Sequence, residues 1–163
     1  MQRLPADALL PKMTLRARAV IPDTEGNVLL DRTHDLSKEG FYWFPGGGIE
    51  PGETAEEAVK RELVEEAAFQ IDVLKPLYLS ENLFVESGEY RHEVILYFLA
   101  AVHARLDTPP TDLRNHEWHP PSATPRPLLP PDVAEAVIFD LETGFKRPLQ
   151  HFVCDERPAE RPA

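Results

Sequence analysis

Leu15, Ala17, Ala19 and Ile21 alternate with Thr14, Arg16, Arg18 and Val20, the two-residue period of a strand with one face in a core. Asp23-Thr24-Glu25-Gly26-Asn27 supplies turn chemistry before Val28-Leu29-Leu30, so residues 14–31 are expected to form a hairpin. Residues 41–44 form a short aromatic strand that runs into Pro45 and three glycines. Beyond them the period changes. Val59, Leu63 and Ala67 recur every four residues, and Thr54 with Glu57 matches a capping box, which together predict a helix over 54–67. Two extended segments follow, 72–85 and 92–102, and the second is apolar on both faces, as a central strand would be.

Residues 109–131 hold eight of the chain's 17 prolines and predict a surface loop, 107–131 at its widest, rather than regular structure. Val133, Val137, Ile138 and Leu141 predict a second helix over 132–143, with Gly144 as its stop. The 32 residues after the proline-rich stretch are too few for an independent domain. A single domain over 1–163 is therefore expected, with flexible ends at 1–12 and 155–163.

A formal charge of -11 argues against a broad basic surface that would neutralise a nucleic-acid backbone or an anionic membrane, so neither partner is expected. Small phosphorylated ligands stay open, because a bound metal reverses the local field. The single cysteine, Cys154, excludes an intrachain disulfide and a cysteine-based zinc cluster, and it fits a reducing, cytoplasmic setting. Residues 1–12 make a poor signal peptide, and no apolar run approaches the ~20 residues of a membrane helix.

The densest chemistry lies at 47–72. Glu62, Glu65 and Glu66 occupy i, i+3 and i+4 positions and share one helical stripe. Three like charges there repel, and a hard cation such as Mg²⁺ or Mn²⁺ converts the repulsion into coordination. The glycines at 46, 47 and 48 let the backbone approach a metal or phosphate, and Glu53 can reach Arg61 to tie the loop to the helix. A solvated acidic face is the bland alternative for such a run of glutamates.

The spacing Gly47, five residues, Glu53, seven residues, Arg61-Glu62-Leu63, one residue, Glu65-Glu66, one residue, then position 68 and Phe69 resembles the Nudix box of the Nudix hydrolases. Only Ala68 departs from it, standing where the family has glycine, and an altered helix exit is expected there. The resemblance implies an α/β/α sandwich with a mixed β-sheet between helices. It also implies metal-dependent hydrolysis of a pyrophosphate bond in a nucleoside diphosphate linked to another moiety, by water attack at phosphorus. Nucleotide sugars, ADP-ribose, dinucleoside polyphosphates and nucleoside triphosphates are the substrates it admits, and family members are often homodimers. Carried onto this chain, Glu62, Glu65 and Glu66 would ligate Mg²⁺ or Mn²⁺, with the Gly47 carbonyl joining them, while Glu53 and Arg61 hold the loop on the helix.

The general base stays open. Glu65 and Glu62 are candidates inside the box; outside it stand Glu93, Asp112 and Glu117. The run Glu81-Asn82-Leu83-Phe84 with Gly88 and His92-Glu93 is similar to a pattern in some subgroups and favours Glu93. Arg16, Arg18 and Phe84 are candidate substrate contacts, the arginines for phosphate or a ribose-linked group and the ring for a base. The glycines make neither a dinucleotide fingerprint nor a P-loop, and Pro120-Pro121 forbids the helix that a zinc-protease reading of His116-Glu117-Trp118-His119 needs. A nucleotide sensor that binds without turnover is the competing function. A protein-interaction role for the proline-rich segment has composition alone behind it.

Overall fold

The computed structural model describes residues 12–32, 40–107, 109–110 and 115–157. The first sheet has the order β4-β1-β6-β5-β9, built from β1 (Lys12–Val20), β4 (Gly46–Gly48), β5 (Phe69–Glu86), β6 (Glu89–Arg105) and β9 (Gln150–Asp155). The second has the order β7-β2-β3-β8, from β2 (Val28–Arg32), β3 (Tyr42–Trp43), β7 (Asn115–His119) and β8 (Leu128–Leu129). Both mix parallel and antiparallel pairs. The helix α1 (Ala55–Ala67) covers one face of the first sheet and α2 (Pro131–Thr143) the other, so the expected sandwich is present.

β1 serves both cores. Its odd positions Ala17 and Ala19 pack with Ala58, Val59 and Leu63 of α1, while Val20 joins Val133 and Val137 of α2, Leu30, Tyr78 and Tyr97. The helix begins as the capping box dictates: Glu57 N–H donates to the Thr54 hydroxyl at 3.2 Å, and Thr54 N–H donates to the Glu57 carboxylate at 2.7 Å. α2 ends at Gly144 in the left-handed conformation, as expected.

Four expectations change. The 14–31 hairpin does not form, because both edges of β1 are taken, by β6 and β4, and Pro22 has no N–H to extend a ladder. β1 and β2 go to different sheets, joined by the Pro22–Val28 bridge and a 3.0 Å bond from Leu29 N–H to the Ile21 carbonyl. The proline-rich stretch is not a loop throughout: among its described residues β7 pairs with β2 and β8 with β3. Its prolines fall between these strands or open helical turns, Pro121 a short 3-10 turn and Pro131 the first turn of α2, where a missing N–H costs nothing. The exit of α1 is not altered either. Ala68 takes the left-handed conformation itself (φ 55, ψ 32), its N–H capping the Leu63 and Val64 carbonyls, at a cost of roughly 1 kcal/mol that a glycine would avoid. Of the expected flexible ends, only Lys12 and residues 155–157 are described, and these are tied to regular structure: Lys12 opens β1, Asp155 closes β9, and Glu156 N–H bonds the Leu83 carbonyl at 2.8 Å.

A polar network anchors α2. The Tyr78 hydroxyl donates to Asp140 at 2.6 Å, and Arg147 donates to both Asp140 oxygens at 2.7 and 3.0 Å. Burial alone would raise the Asp140 pKa; the guanidinium and the phenol outweigh it and hold the carboxyl below its ordinary value. That depressed value means the stabilisation is complete above a pH of about 4 and disappears as pH falls through the folded-state pKa. Urea titrations from pH 7 to pH 3 should show Asp140→Asn destabilised by about 3 kcal/mol at pH 7, with a flatter acid dependence than the parent. Thr54→Ala should cost about 1 kcal/mol in the same assay at pH 7.

Candidate functional site

The loop before α1 is built for close approach. Gly46 sits at φ 129, and a Cβ there would lie 2.3 Å from the Ala17 carbonyl oxygen. A Cβ on Gly47 would lie 2.3 Å from Glu62 Oε1, so the Gly47 backbone and the Glu62 carboxylate share one small space. The loop closes on itself through Glu50 N–H, which donates to Glu53 Oε1 at 2.8 Å.

Arg61 joins that loop to the acidic helix. Its Nε and Nη2 donate to the two oxygens of Glu53 at 3.1 and 2.7 Å, a bidentate pair, and Nη2 also reaches the Gly48 carbonyl at 3.0 Å. Its Nη1 donates to Glu62 Oε1 and Glu65 Oε2, each at 3.1 Å. The hydrogen bonds from Arg61 lower the Glu53 pKa, and those to Glu53, then Glu62, raise that of Arg61.

The three glutamates of the stripe meet three environments. Glu62 is mostly buried, Glu65 is 43% exposed, and Glu66 is 1% exposed, turned toward His116 of β7. Among the described residues no three carboxylate, histidine or cysteine side chains converge on one metal position. The guanidinium of Arg61 lies between Glu62 and Glu65, where a cation's charge would be placed. The donors beside Gly47 are carboxylate oxygens around a residue without a side chain, a hard-oxygen set that fits Mg²⁺ or Mn²⁺.

Arg16, Arg18, Phe84 and Glu93 lie on the other face of the first sheet. The register pairs Arg16 with Ile95, Arg18 with Tyr97, Thr14 with Glu93 and Phe84 with Arg91, which sets all four candidates on the α2 side. Arg16 Nε donates to Glu93 Oε1 at 2.9 Å. Arg18 is 8% exposed, donates to the Phe44 carbonyl and lies 5.5 Å from the Trp43 ring centre; burial lowers its pKa. Thr14 Oγ1, Arg18 Nε and the Tyr97 hydroxyl are buried without a hydrogen-bond partner among the described residues. The sheet thus separates Glu93 from the three box glutamates. The two groups meet at the edge strand β4, where Gly48 pairs with Arg16 and gives its carbonyl to Arg61.

Asp112 lies outside the described residues. Glu117 faces the α2 side of the second sheet, where it accepts from the Tyr42 hydroxyl at 2.7 Å and contacts His119 at 2.9 Å, so it does not join the box glutamates. Its neighbour His116 points the opposite way, to α1, and sequence reasoning missed it. The signal was the period of two across 115–119, which puts His116 and Glu117 on opposite faces once that stretch is read as a strand.

The NUDIX domain family model matches residues 12–138, and the chain belongs to that family, the Nudix hydrolases. It is 29% identical over 148 residues to an RNA pyrophosphohydrolase of Erythrobacter litoralis, covering 78% of this chain and 89% of that protein. It is 31% identical over 119 residues to the NAD-capped RNA hydrolase NudC of Edwardsiella ictaluri, covering 71% of this chain but 43% of that longer protein. Its fold is similar to that of an ADP-ribose pyrophosphatase from Streptococcus suis, with a TM-score of 0.61 at 16% identity, over 86% of this chain and 98% of the other. No described helix is long and apolar enough to cross a membrane.

Gly47→Ala should leave the fold intact by circular dichroism and lower hydrolase activity about 100-fold, because its methyl must push the Glu62 carboxylate out of place.

Proposed function

We propose that this Nudix hydrolase cleaves a pyrophosphate bond in a nucleoside diphosphate derivative, with Mg²⁺ or Mn²⁺ held by Glu62, Glu65, Glu66 and the Gly47 carbonyl. The observation that carries the reading is the Arg61 clamp, which sets two carboxylates beside a side-chain-free backbone turn. When bound, the ion supplies charge neutralisation at the pyrophosphate oxygens and lowers the pKa of coordinated water.

The remaining work falls to the chain. Glu65, at 43% the most exposed of the three, is the base we assign to the attacking water, since it has the most open path for a proton to solvent. Arg61 Nη1 donates to Glu65 Oε2 and directs that carboxylate toward the loop. On the far side of β4, Arg16 and Arg18 bind the anionic or ribose-linked end of the substrate, with Glu93 fixing the Arg16 guanidinium and Phe84 offering a ring for a base.

The test is a panel of nucleotide sugars, ADP-ribose, dinucleoside polyphosphates and nucleoside triphosphates, with triphosphorylated and NAD-capped oligoribonucleotides added because two relatives are named for RNA ends. The charge of -11 favours the small nucleotides over the RNA ends. Products formed in H₂¹⁸O report which phosphorus takes the water. Glu65→Gln should lower kcat by 10²–10⁴-fold with little change in KM. Metal-independent binding of an intact ligand across the whole panel would instead establish a nucleotide sensor.

A further inference from the structure

The α1 side of the first sheet is only half covered. Ala17 and Ala19 of β1 pack under the helix, but the same face of β1 continues to Leu15 and Met13, which are 51% and 59% exposed. The register carries that exposure across four strands. Leu15 lies beside Val94, Val94 beside Glu81 and Glu81 beside Val153, itself 56% exposed. In the next row Met13 lies beside His92, His92 beside Leu83 and Leu83 beside Asp155. Apolar side chains scattered singly on a surface need no explanation, whereas contiguous cross-strand rows of them mark a face that something covers.

The charged groups in these rows are closed on one another. Glu81 Oε1 is 2.6 Å from His151 Nε2 of the edge strand β9, and Glu81 Oε2 is 3.3 Å from His92 Nε2 of β6. Arg157 Nε donates to Asp155 at 2.7 Å. Both carboxyls are held below their ordinary values, Glu81 by hydrogen bonds from His151 and His92 and Asp155 by those from Arg157. A basic partner therefore finds no free carboxylate in the two rows, and an acidic one finds no free cation. An identical face, equally apolar and equally compensated, meets it without like-charge repulsion.

We propose that this uncovered sheet face is the contact between two copies of the chain, packed face to face about a twofold axis. Together with the half-buried Leu79–Leu96 pair that flanks them, the rows span four strands about 4.8 Å apart and three steps of about 6.8 Å, or about 400 Å². Two such faces bring about 800 Å², less than the roughly 1,200 Å² at which stable complexes begin, so the dimer is weak and depends on concentration. Nothing in this assignment depends on the catalytic reading, because the rows contain none of the residues placed in the site.

Sedimentation equilibrium of the full chain from about 5 to 500 µM tests it. The parent should dimerise with a dissociation constant on the order of 100 µM. Raising NaCl from 50 to 500 mM should tighten the dimer severalfold, because the contact is apolar and salt screens the repulsion between two chains of charge -11. Val153→Gln and Met13→Glu should each weaken it at least tenfold, with circular dichroism and hydrolase activity unchanged; either variant suffices if the other fails to fold. Leu74→Gln, at a position 59% exposed but outside the rows, should leave it unchanged. A parent that stays monomeric throughout would overturn the proposal and leave the face to a different occupant. A dimer that loosens with salt, or that survives both variants, would overturn it by placing the contact elsewhere.

Discussion

The guanidinium of Arg61 is the constraint on which the site depends. A glycine-rich turn is costly to order, and a helix carrying neighbouring glutamates repels itself. One planar cation answers both problems, because its fork reaches the loop through Glu53 and the Gly48 carbonyl and reaches the helix through Glu62 and Glu65. Each of these bonds is partly exposed and worth little alone. Their geometry matters more than their sum: a lysine would carry the charge and lose the fork.

Around that clamp the first sheet divides the labour. The α1 face carries the carboxylates and the α2 face carries Arg16, Arg18, Glu93 and Phe84, and the two meet at the three-residue strand β4. Glycine is required at that border for two reasons: Gly46 needs its positive φ, and Gly47 must leave room for Glu62. In the proposed reading a substrate spans the border, its pyrophosphate on one side and its recognised group on the other. The two halves of the site can then differ between relatives without disturbing each other, which suits a family whose named members act on different compounds.

Much of this was legible in the residues. The capping box, the core positions of α1, the central position of β6 and the left-handed end of α2 follow from local spacing, which the fold did not override. What could not be read were the pairings. The alternation at 14–21 announces a strand but not its neighbours, and β1 joins β6, more than seventy residues away, instead of the adjacent β2. Proline content misled for a related reason: density says where N–H groups are missing, not whether the residues between prolines pair. The place of His116 depended on that error, since a residue in a supposed loop has no facing direction. Ala68 shows the reverse case, in which tertiary context holds a non-glycine residue in the conformation the family position demands.

The double duty of β1 has a consequence for how this chain can change. Arg16 and Arg18 point to one layer and Ala17 and Ala19 to the other, and the parallel ladder with β6 fixes that phase along nine consecutive positions. Removing or adding a single residue between Leu15 and Val20 would exchange the two sets, driving both guanidinium groups into the alanine-lined seam under α1 and leaving methyl groups where the arginines stood. Point substitutions can tune this strand, but its length cannot drift by one. Viable homologues should therefore vary in the turn after Ile21, where Asp23 and Asn27 close on each other at the surface, and keep the spacing of β1 intact.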